Sequence, residues 1–350
     1  MLEVDVEVDR PEFTVRANFS VAPGERLALF GPSGAGKTTL LEVIAGLVKP
    51  RRAVISLAGK PLTSTTSPAI TLPPWRRGVG LLRQDPGLFP HLSVRDNLRY
   101  GRTAAGDGDE FRRLASTLGI DGLLGKMPAR LSGGQAHRVA LGRLLLSRCD
   151  TLLLDEPYTG LDASLRRTLT ELVITLVTER NVPAILVAHE LAEAQAFADQ
   201  LAVLDRGAVL QAGDPGEVVQ RPASCRVAEL VGYTAFVPAD DGTVAGIHPD
   251  RIVGGSHPAL GQVLEGEVTA SRPAGVMWEL EVRVGAETVT ARMPGPASIG
   301  QPLVITATDP PIFWPGGAAI DKAAIDAAAI DTGPPLELRS LESPPFEVGE

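Results

Sequence analysis

Apolar and polar residues alternate along residues 2–8 and 13–21, the period of strands with one buried face. Pro23-Gly24-Glu25 turns the chain into Arg26-Leu27-Ala28-Leu29-Phe30, an apolar run that reads as a buried strand. Comparable runs recur at 53–58, Val79-Gly80-Leu81-Leu82, Thr151-Leu152-Leu153-Leu154 and Ala184-Ile185-Leu186-Val187-Ala188, with a hairpin of 201–205 and 208–211 around Arg206-Gly207. Helical spacing lies between them, over Thr39-Leu40-Leu41-Glu42-Val43-Ile44, 110–118, Ser132 to about Ser147, 163–180, 190–198 and 215–231. Residues 59–74, rich in Ser, Thr and Pro, and the Gly/Asp segment 102–109 read as loops. Strands alternating with helices predict a largely parallel α/β sheet for residues 1–232. Ligands of such sheets gather outside the carboxyl ends of the strands.

The texture changes near residue 235. Short alternating runs at 244–253, 263–270, 277–284, 287–293 and 303–307 lie between Gly and Pro turns, the pattern of a small all-β barrel or sandwich. That places a second domain at 235–315. From 316 to 350 the chain is rich in Ala, Pro and acids, with Ile-Asp pairs recurring every five residues; this is the composition of a disordered tail.

The 350 residues are enough for two domains, and 44% hydrophobic with only 4% aromatic residues predicts aliphatic cores. A net charge of −9 argues against nucleic acid as a partner, because phosphate-backbone binding wants basic faces. Cys149 and Cys225 are the only cysteines, which suggests a reducing compartment. The first residues alternate apolar and acidic, unlike a signal peptide. No run reaches the ~18 apolar residues of a membrane span, so a cytoplasmic protein is expected, with any membrane role reached through a partner.

The chemistry is concentrated in Gly31-Pro32-Ser33-Gly34-Ala35-Gly36-Lys37-Thr38. This is G-x-x-x-x-G-K-[ST] between a strand and a helix, the context of a phosphate-binding loop. Its backbone N–H groups turn inward at phosphate oxygens, and the helix end adds to that field. Lys37 would reach the β- and γ-phosphates and the Thr38 hydroxyl a Mg²⁺ ion. Thr151-Leu152-Leu153-Leu154 delivers Asp155-Glu156, and Ala184-Ile185-Leu186-Val187-Ala188 delivers His189. Ser132 and Gln135 have capping-box spacing, while Gly133 and Gly134 would expose helix-end N–H groups to an anion. Phe13 lies where an aromatic could stack on an adenine or equally pack within its strand.

Residues 1–232 resemble the ATP-binding subunits of ABC transporters. The resemblance rests on the phosphate loop, Gln84, Leu131-Ser132-Gly133-Gly134-Gln135, Asp155-Glu156, Leu161-Asp162 and His189, in that order. Residues 70–77 and 88–101 look most like the molybdate importers, and 235–314 like the TOBE domain of bacterial importers. Gly246-Ile247-His248-Pro249-Asp250 stands where sulfate, iron and sugar importers have a Gly-Ile-Arg-Pro-Glu-like stretch. Arg83, Ala188 and His137 depart from the family pattern; Arg83 places an extra cation near the nucleotide or a membrane partner.

The resemblance implies an ATPase with a phosphate-loop fold of ABC type, using ATP and Mg²⁺. Thr39 and Phe13 join residues 31–38 in holding nucleotide, with Thr38, Gln84 and Asp155 around the metal. Glu156 acts as general base or water-orienting group, His189 holds the attacking water and γ-phosphate in line, and Gln84 reports nucleotide state. A second copy is expected head to tail, with its Ser132, Gly133, Gly134, Gln135 and Asp162 facing this copy's phosphate loop. The further partners implied are integral-membrane permease subunits, contacted near Leu88, Phe89 and Pro90, and indirectly a substrate-binding protein. The expected location is the cytoplasmic face of the membrane and the expected cargo molybdate or a related oxyanion. The alternatives are an importer of sulfate, iron, sugar or polyamine, or a soluble non-transport ABC ATPase.

Overall fold

A computed structural model describes residues 1–100, 108–238 and 242–313, and the backbone of 319–320. The chain divides into two compact units, the first Met1–Pro215 and the second beginning at Gly216.

The first unit is built on an eleven-stranded mixed sheet. The alternating N-terminal residues form β1 (Leu2–Asp9) and β2 (Thr14–Val21), paired antiparallel, with one face of each buried. The apolar runs become β3 (Arg26–Phe30), β4 (Arg52–Leu57), β7 (Val79–Leu82), β8 (Thr151–Asp155), β9 (Ala184–Ala188) and β10 (Gln200–Asp205). β5 (Lys60–Ser64) and β6 (Ile70–Thr71) lie at one edge, and β11 (Ala208–Gly213) completes the order β6-β5-β4-β1-β2-β11-β10-β3-β9-β8-β7.

The stretch β10-β3-β9-β8-β7 is parallel. Every residue of β8 and β9 is buried, as expected of parallel strands covered on both faces. Phe30 pairs with Ala188, Asp155 with Val187 and Leu82 with Leu154. The carboxyl ends of these strands are therefore level, and the residues after them share one edge.

Helix α1 (Lys37–Ala45) follows β3, and α2 (Val94–Arg99) starts at Ser93, whose side chain accepts the Asp96 N–H. α3 (Asp109–Thr117), α4 (Gly133–Leu146), α5 (Ala163–Arg180) and α6 (Leu191–Phe197) fall where helical spacing predicts them. The aliphatic face of α1, Leu40, Leu41, Val43 and Ile44, is buried with the apolar faces of β1 and β2 in one core.

The second unit is all-β after two short helices. The single helix expected over 215–231 is two, α7 (Pro215–Gln220) and α8 (Cys225–Leu230), broken at Arg221-Pro222 because proline cannot donate within a helix. The division between units falls after Pro215, the first residue of α7, whereas periodicity groups both helices with the first domain. Strands β12 (Ala235–Pro238), β13 (Val244–Ile247), β14 (Ile252–Gly254), β15 (Gly261–Ala274), β16 (Met277–Val284), β17 (Glu287–Met293), β18 (Pro302–Thr308), β19 (Ile312–Phe313) and β20 (Ala319–Ile320) make two antiparallel sheets, β12-β13-β19-β20 and β14-β18-β15-β16-β17. Ala235, Val237, Ala245 and Ile247 of the first and Leu264, Leu280, Val282, Val289 and Ile305 of the second share one aliphatic core.

The sequence reads 59–74 as a loop, but β5 and β6 lie inside it. β5 pairs with β4 and buries Leu62 and Thr63. Its flanking Ser, Thr and Pro residues hide a strand whose pairing partner is supplied by tertiary structure. Of the tail reading, residues 314–318 and 321–350 lie outside the described residues. The backbone at Ala319–Ile320 pairs with Ile312–Phe313, so strand pairing runs past residue 315. Residues 101–107 of the Gly/Asp segment are likewise outside the described residues.

Candidate functional site

Backbone geometry shapes the phosphate loop. At Gly31, φ is +147° and a Cβ would lie 2.0 Å from the Leu204 carbonyl oxygen. At Gly36, φ is +106° and a Cβ would lie 2.7 Å from Val15 Cγ2. Neither position admits a side chain. Gly36 hands the chain to α1, whose first residue is Lys37.

The Lys37 ammonium donates to the carbonyl oxygens of Gly31 at 2.7 Å and Pro32 at 2.9 Å. Burial pulls its pKa below the usual lysine value, while Glu156 and Asp155 oppose that shift. The Thr38 hydroxyl donates to Asp155 Oδ1 at 3.2 Å. Burial pushes the Asp155 carboxyl above the usual aspartate range, with the Thr38 hydrogen bond opposing it.

Glu156 adopts φ +53°, a left-handed conformation that costs a non-glycine residue energy and recurs at functional sites. One of its oxygens, Oε1, meets both Gln84 Nε2 and His189 Nε2. Arg10, Phe13, Ser33, Gly34, Gly36, Lys37, Thr38, Thr39, Gln84, Glu156 and His189 all line one open cleft of about 610 Å³. Phe13 lines this cleft and also packs against the main core. The Thr38 hydroxyl, Asp155 carboxylate and Gln84 amide are hard oxygen donors of the kind Mg²⁺ takes. The hydrogen bond from Thr38 to Asp155 already holds two of them together, so the residues fit that ion.

The other expected residues do not line this cleft in the single chain. Ser132 caps α4 in a full capping box with Gln135, at 3.3 and 3.1 Å. Gly133 is exposed, and nothing lies within 4 Å of its ideal Cβ position. Asp162 caps α5, accepting from Ser164 N and Leu165 N at 3.0 Å each. Leu161 and Asp162 thus end a loop and start a helix within one chain.

Several residues enter through tertiary placement. His137 on α4 is buried beside Glu156. Burial pushes its pKa down and Glu156 pulls it up; Nε2 has no hydrogen-bond partner among the described residues. Glu193 on α6 approaches the His189 backbone, and burial raises its pKa from the usual 4.5 to about 7. Arg83 pairs with Glu42 of α1 at 3.1 Å, so its charge is committed to the phosphate-loop helix. Periodicity places His137 and Glu193 on helices but cannot tell which loop those helices face.

The ABC transporter family pattern matches residues 15–159. A sulfate/thiosulfate import ATP-binding protein of Chromobacterium violaceum is 42% identical over 229 residues, 64% of this chain and 61% of that protein. An Fe(3+) ions import ATP-binding protein of Yersinia pestis is 39% identical over 251 residues, 71% of this chain and 68% of that protein. The chain belongs to the ABC transporter ATPase family. A molybdenum import ATP-binding protein of Mesorhizobium japonicum is 40% identical over 63% of this chain and 60% of its own length. The chain thus spans about three fifths to two thirds of such relatives. Among solved structures, the dimeric ATP-binding cassette MJ0796 bound to ADP and Pi shares the fold, with TM-score 0.52 and 24% identity over 61% of this chain and 99% of that one. No helix among the described residues is long and apolar enough to cross a membrane.

Proposed function

We propose that this chain binds and hydrolyses ATP to energise an importer, and that its working form is a head-to-tail pair. The observation that carries the reading is the level edge of the parallel strands. There Lys37, Gln84, Asp155, Glu156 and His189 converge on one cleft or its floor, while the Ser132–Gln135 helix end stays off it. Half a site on each chain is completed by a second copy.

In this reading Lys37 leaves the Gly31 and Pro32 carbonyls to take the terminal phosphates. The N-terminus of α1 supplies N–H donors to the same charge. Thr38, Asp155 and Gln84 would hold Mg²⁺, which would neutralise negative charge on the phosphates. Glu156 releases one or both of its contacts to orient the attacking water, and His189 keeps that water in line with the terminal phosphate. Ser132, Gly133 and Gly134 of the second copy present helix-end donors to the phosphate from the other side, and Asp162 lies across the same junction. Catalysis by position and charge suits phosphoryl transfer, which asks little covalent chemistry of the protein.

The first unit is the engine of this reading, and the all-β unit is a TOBE-like domain. The complex would lie at the cytoplasmic face of the membrane, contacting permease subunits near Leu88, Phe89 and Pro90, with a substrate-binding protein delivering cargo. We take molybdate or a related oxyanion as that cargo. The likeness of residues 70–77 and 88–101 to molybdate importers supports it, as do relatives named for molybdenum and sulfate. The relative named for Fe(3+) marks the competing assignment. Purification of the chain from its own cells should recover membrane subunits and ATP-dependent uptake of ⁹⁹Mo-molybdate or ³⁵S-sulfate. Uptake of Fe³⁺ alone would move the cargo; recovery without membrane partners would overturn the importer.

A further inference from the structure

The turn joining β1 to β2 is tight. Asp9 pairs with Thr14, and the Arg10 N–H donates to the Phe13 carbonyl at 2.8 Å. From this turn the Arg10 side chain reaches across to α1. Its Nε donates to Thr39 Oγ1 at 2.8 Å, and a second guanidinium nitrogen donates to the same oxygen. Thr39 is 4% exposed. Its oxygen accepts twice, so its own proton is left to donate elsewhere. A guanidinium has five N–H donors, and these two bonds leave most of them unspent.

Arg10 lines the cleft together with Glu12, Phe13, Gly34, Gly36 and Lys37, and no ion pair joins Arg10 to Glu12. Among the described residues no carboxylate pairs with it. A buried hydroxyl held as a donor, beside a cation uncommitted to any acid, is a pair made for an anion. Its place fixes which anion. Phe13 of the same turn marks the base end of the cleft, and Lys37 the terminal-phosphate end.

We infer that Arg10, through its guanidinium and the Thr39 hydroxyl it orients, binds the phosphate nearest the sugar of an adenine nucleotide. This rests on the nucleotide reading above and adds a charged contact that the phosphate-loop motif does not contain. Lys37 serves the outer phosphates and Arg10 the innermost, so they respond differently to phosphate number.

The test is calorimetric titration of adenosine, AMP, ADP and ATP into the full chain and into Arg10→Ala, Arg10→Lys and Lys37→Ala. Arg10→Ala should weaken AMP, ADP and ATP alike, by about tenfold or more, the size of a charge-assisted hydrogen bond. Adenosine should be unaffected. Arg10→Lys should recover part of the loss, and Lys37→Ala should weaken ADP and ATP but spare AMP. An equal loss for adenosine would show that Arg10 merely fastens the turn, and a loss confined to ATP would place it on the wrong phosphate; either overturns the inference. Wild-type binding with unaltered Arg10→Ala affinities overturns this inference alone. No adenine-nucleotide binding by the wild type overturns the site reading and this inference with it.

Discussion

His189 Nε2 and the Glu156 carboxylate meet at Oε1, the same oxygen that takes the Gln84 amide. These partners come from separate strands, β9, β8 and β7, whose ends are aligned by register. The oxygen that would take a proton from water is therefore held by two side chains. Glu156→Gln keeps the shape and removes the base. We expect ATP affinity within a few-fold of wild type and hydrolysis reduced by about 10²–10⁴-fold, the usual yield of a positioned acid or base. Phosphate release under saturating ATP measures it, and hydrolysis near the wild-type rate would remove Glu156 from its role.

Glu193 gives a pH signature. Its folded pKa of about 7 lies above the usual 4.5 because burial penalises the charged form; Arg166 opposes this, and Glu190 and Glu156 add to it. A raised carboxyl pKa means that the folded chain holds the proton more tightly than the unfolded one. That stabilisation is complete below about 4.5 and is lost as pH rises through 7. Glu193→Gln, neutral at every pH, should then be more stable than wild type at pH 8 by on the order of 1–2 kcal/mol. Near pH 4, where both states hold the proton, the two should be alike. Urea midpoints at both pH values decide it, and a difference independent of pH would mean that the carboxyl is not the titrating group.

Arg77 couples the core to the phosphate-loop helix. It is 3% exposed, and donates to Leu72 O at 2.8 Å, Ile44 O at 2.9 Å, Val43 O at 3.3 Å and Thr63 Oγ1 at 2.9 Å. Two of these acceptors are carbonyls at the end of α1, where intrahelical donors run out. Arg77→Ala leaves buried acceptors without partners and opens a cavity, so we expect a loss of about 3 kcal/mol. Arg77→Lys should recover only part, because a single ammonium cannot reproduce the planar fork. Chemical denaturation of the three proteins checks this, and a loss under 1 kcal/mol would show that water replaces the guanidinium.

Arg77 also shows where sequence reading stops. The strands β3, β7, β8 and β9 were legible as apolar runs, and the polar groups that follow them, Lys37, Gln84, Asp155-Glu156 and His189, were legible as lying past strand ends of a parallel sheet. The fold class followed from that alternation. Arg77 was not legible as a helix cap, because its acceptors lie 33 and 34 residues away. Arg10 reaches Thr39 over 29 residues, and His137 lies beside Glu156 from a different element. β5 escaped because its neighbours are Ser, Thr and Pro, and only pairing with β4 makes Lys60–Ser64 a strand. Each miss is a contact between segments that no local pattern connects.

The last prediction concerns the second copy. Within one chain Ser132 is spent on Gln135, and Asp162 on Ser164 and Leu165. These bonds fix the two helix ends as rigid donors and leave Gly133 open, so the surface suits an anion brought by a partner. Nucleotide would then join two chains, because the charge held by Lys37 of one copy completes the helix end of the other. Glu156→Gln should make this visible by blocking the exit: with ATP it should sediment as a dimer, and with ADP as a monomer. Gly133→Asp adds a negative charge where the phosphate would arrive, and should abolish association while leaving ATP binding by each chain unchanged. In the wild type, the hydrolysis rate per chain should fall on dilution. A rate independent of concentration, with one sedimentation coefficient in either nucleotide, would show that each chain acts alone.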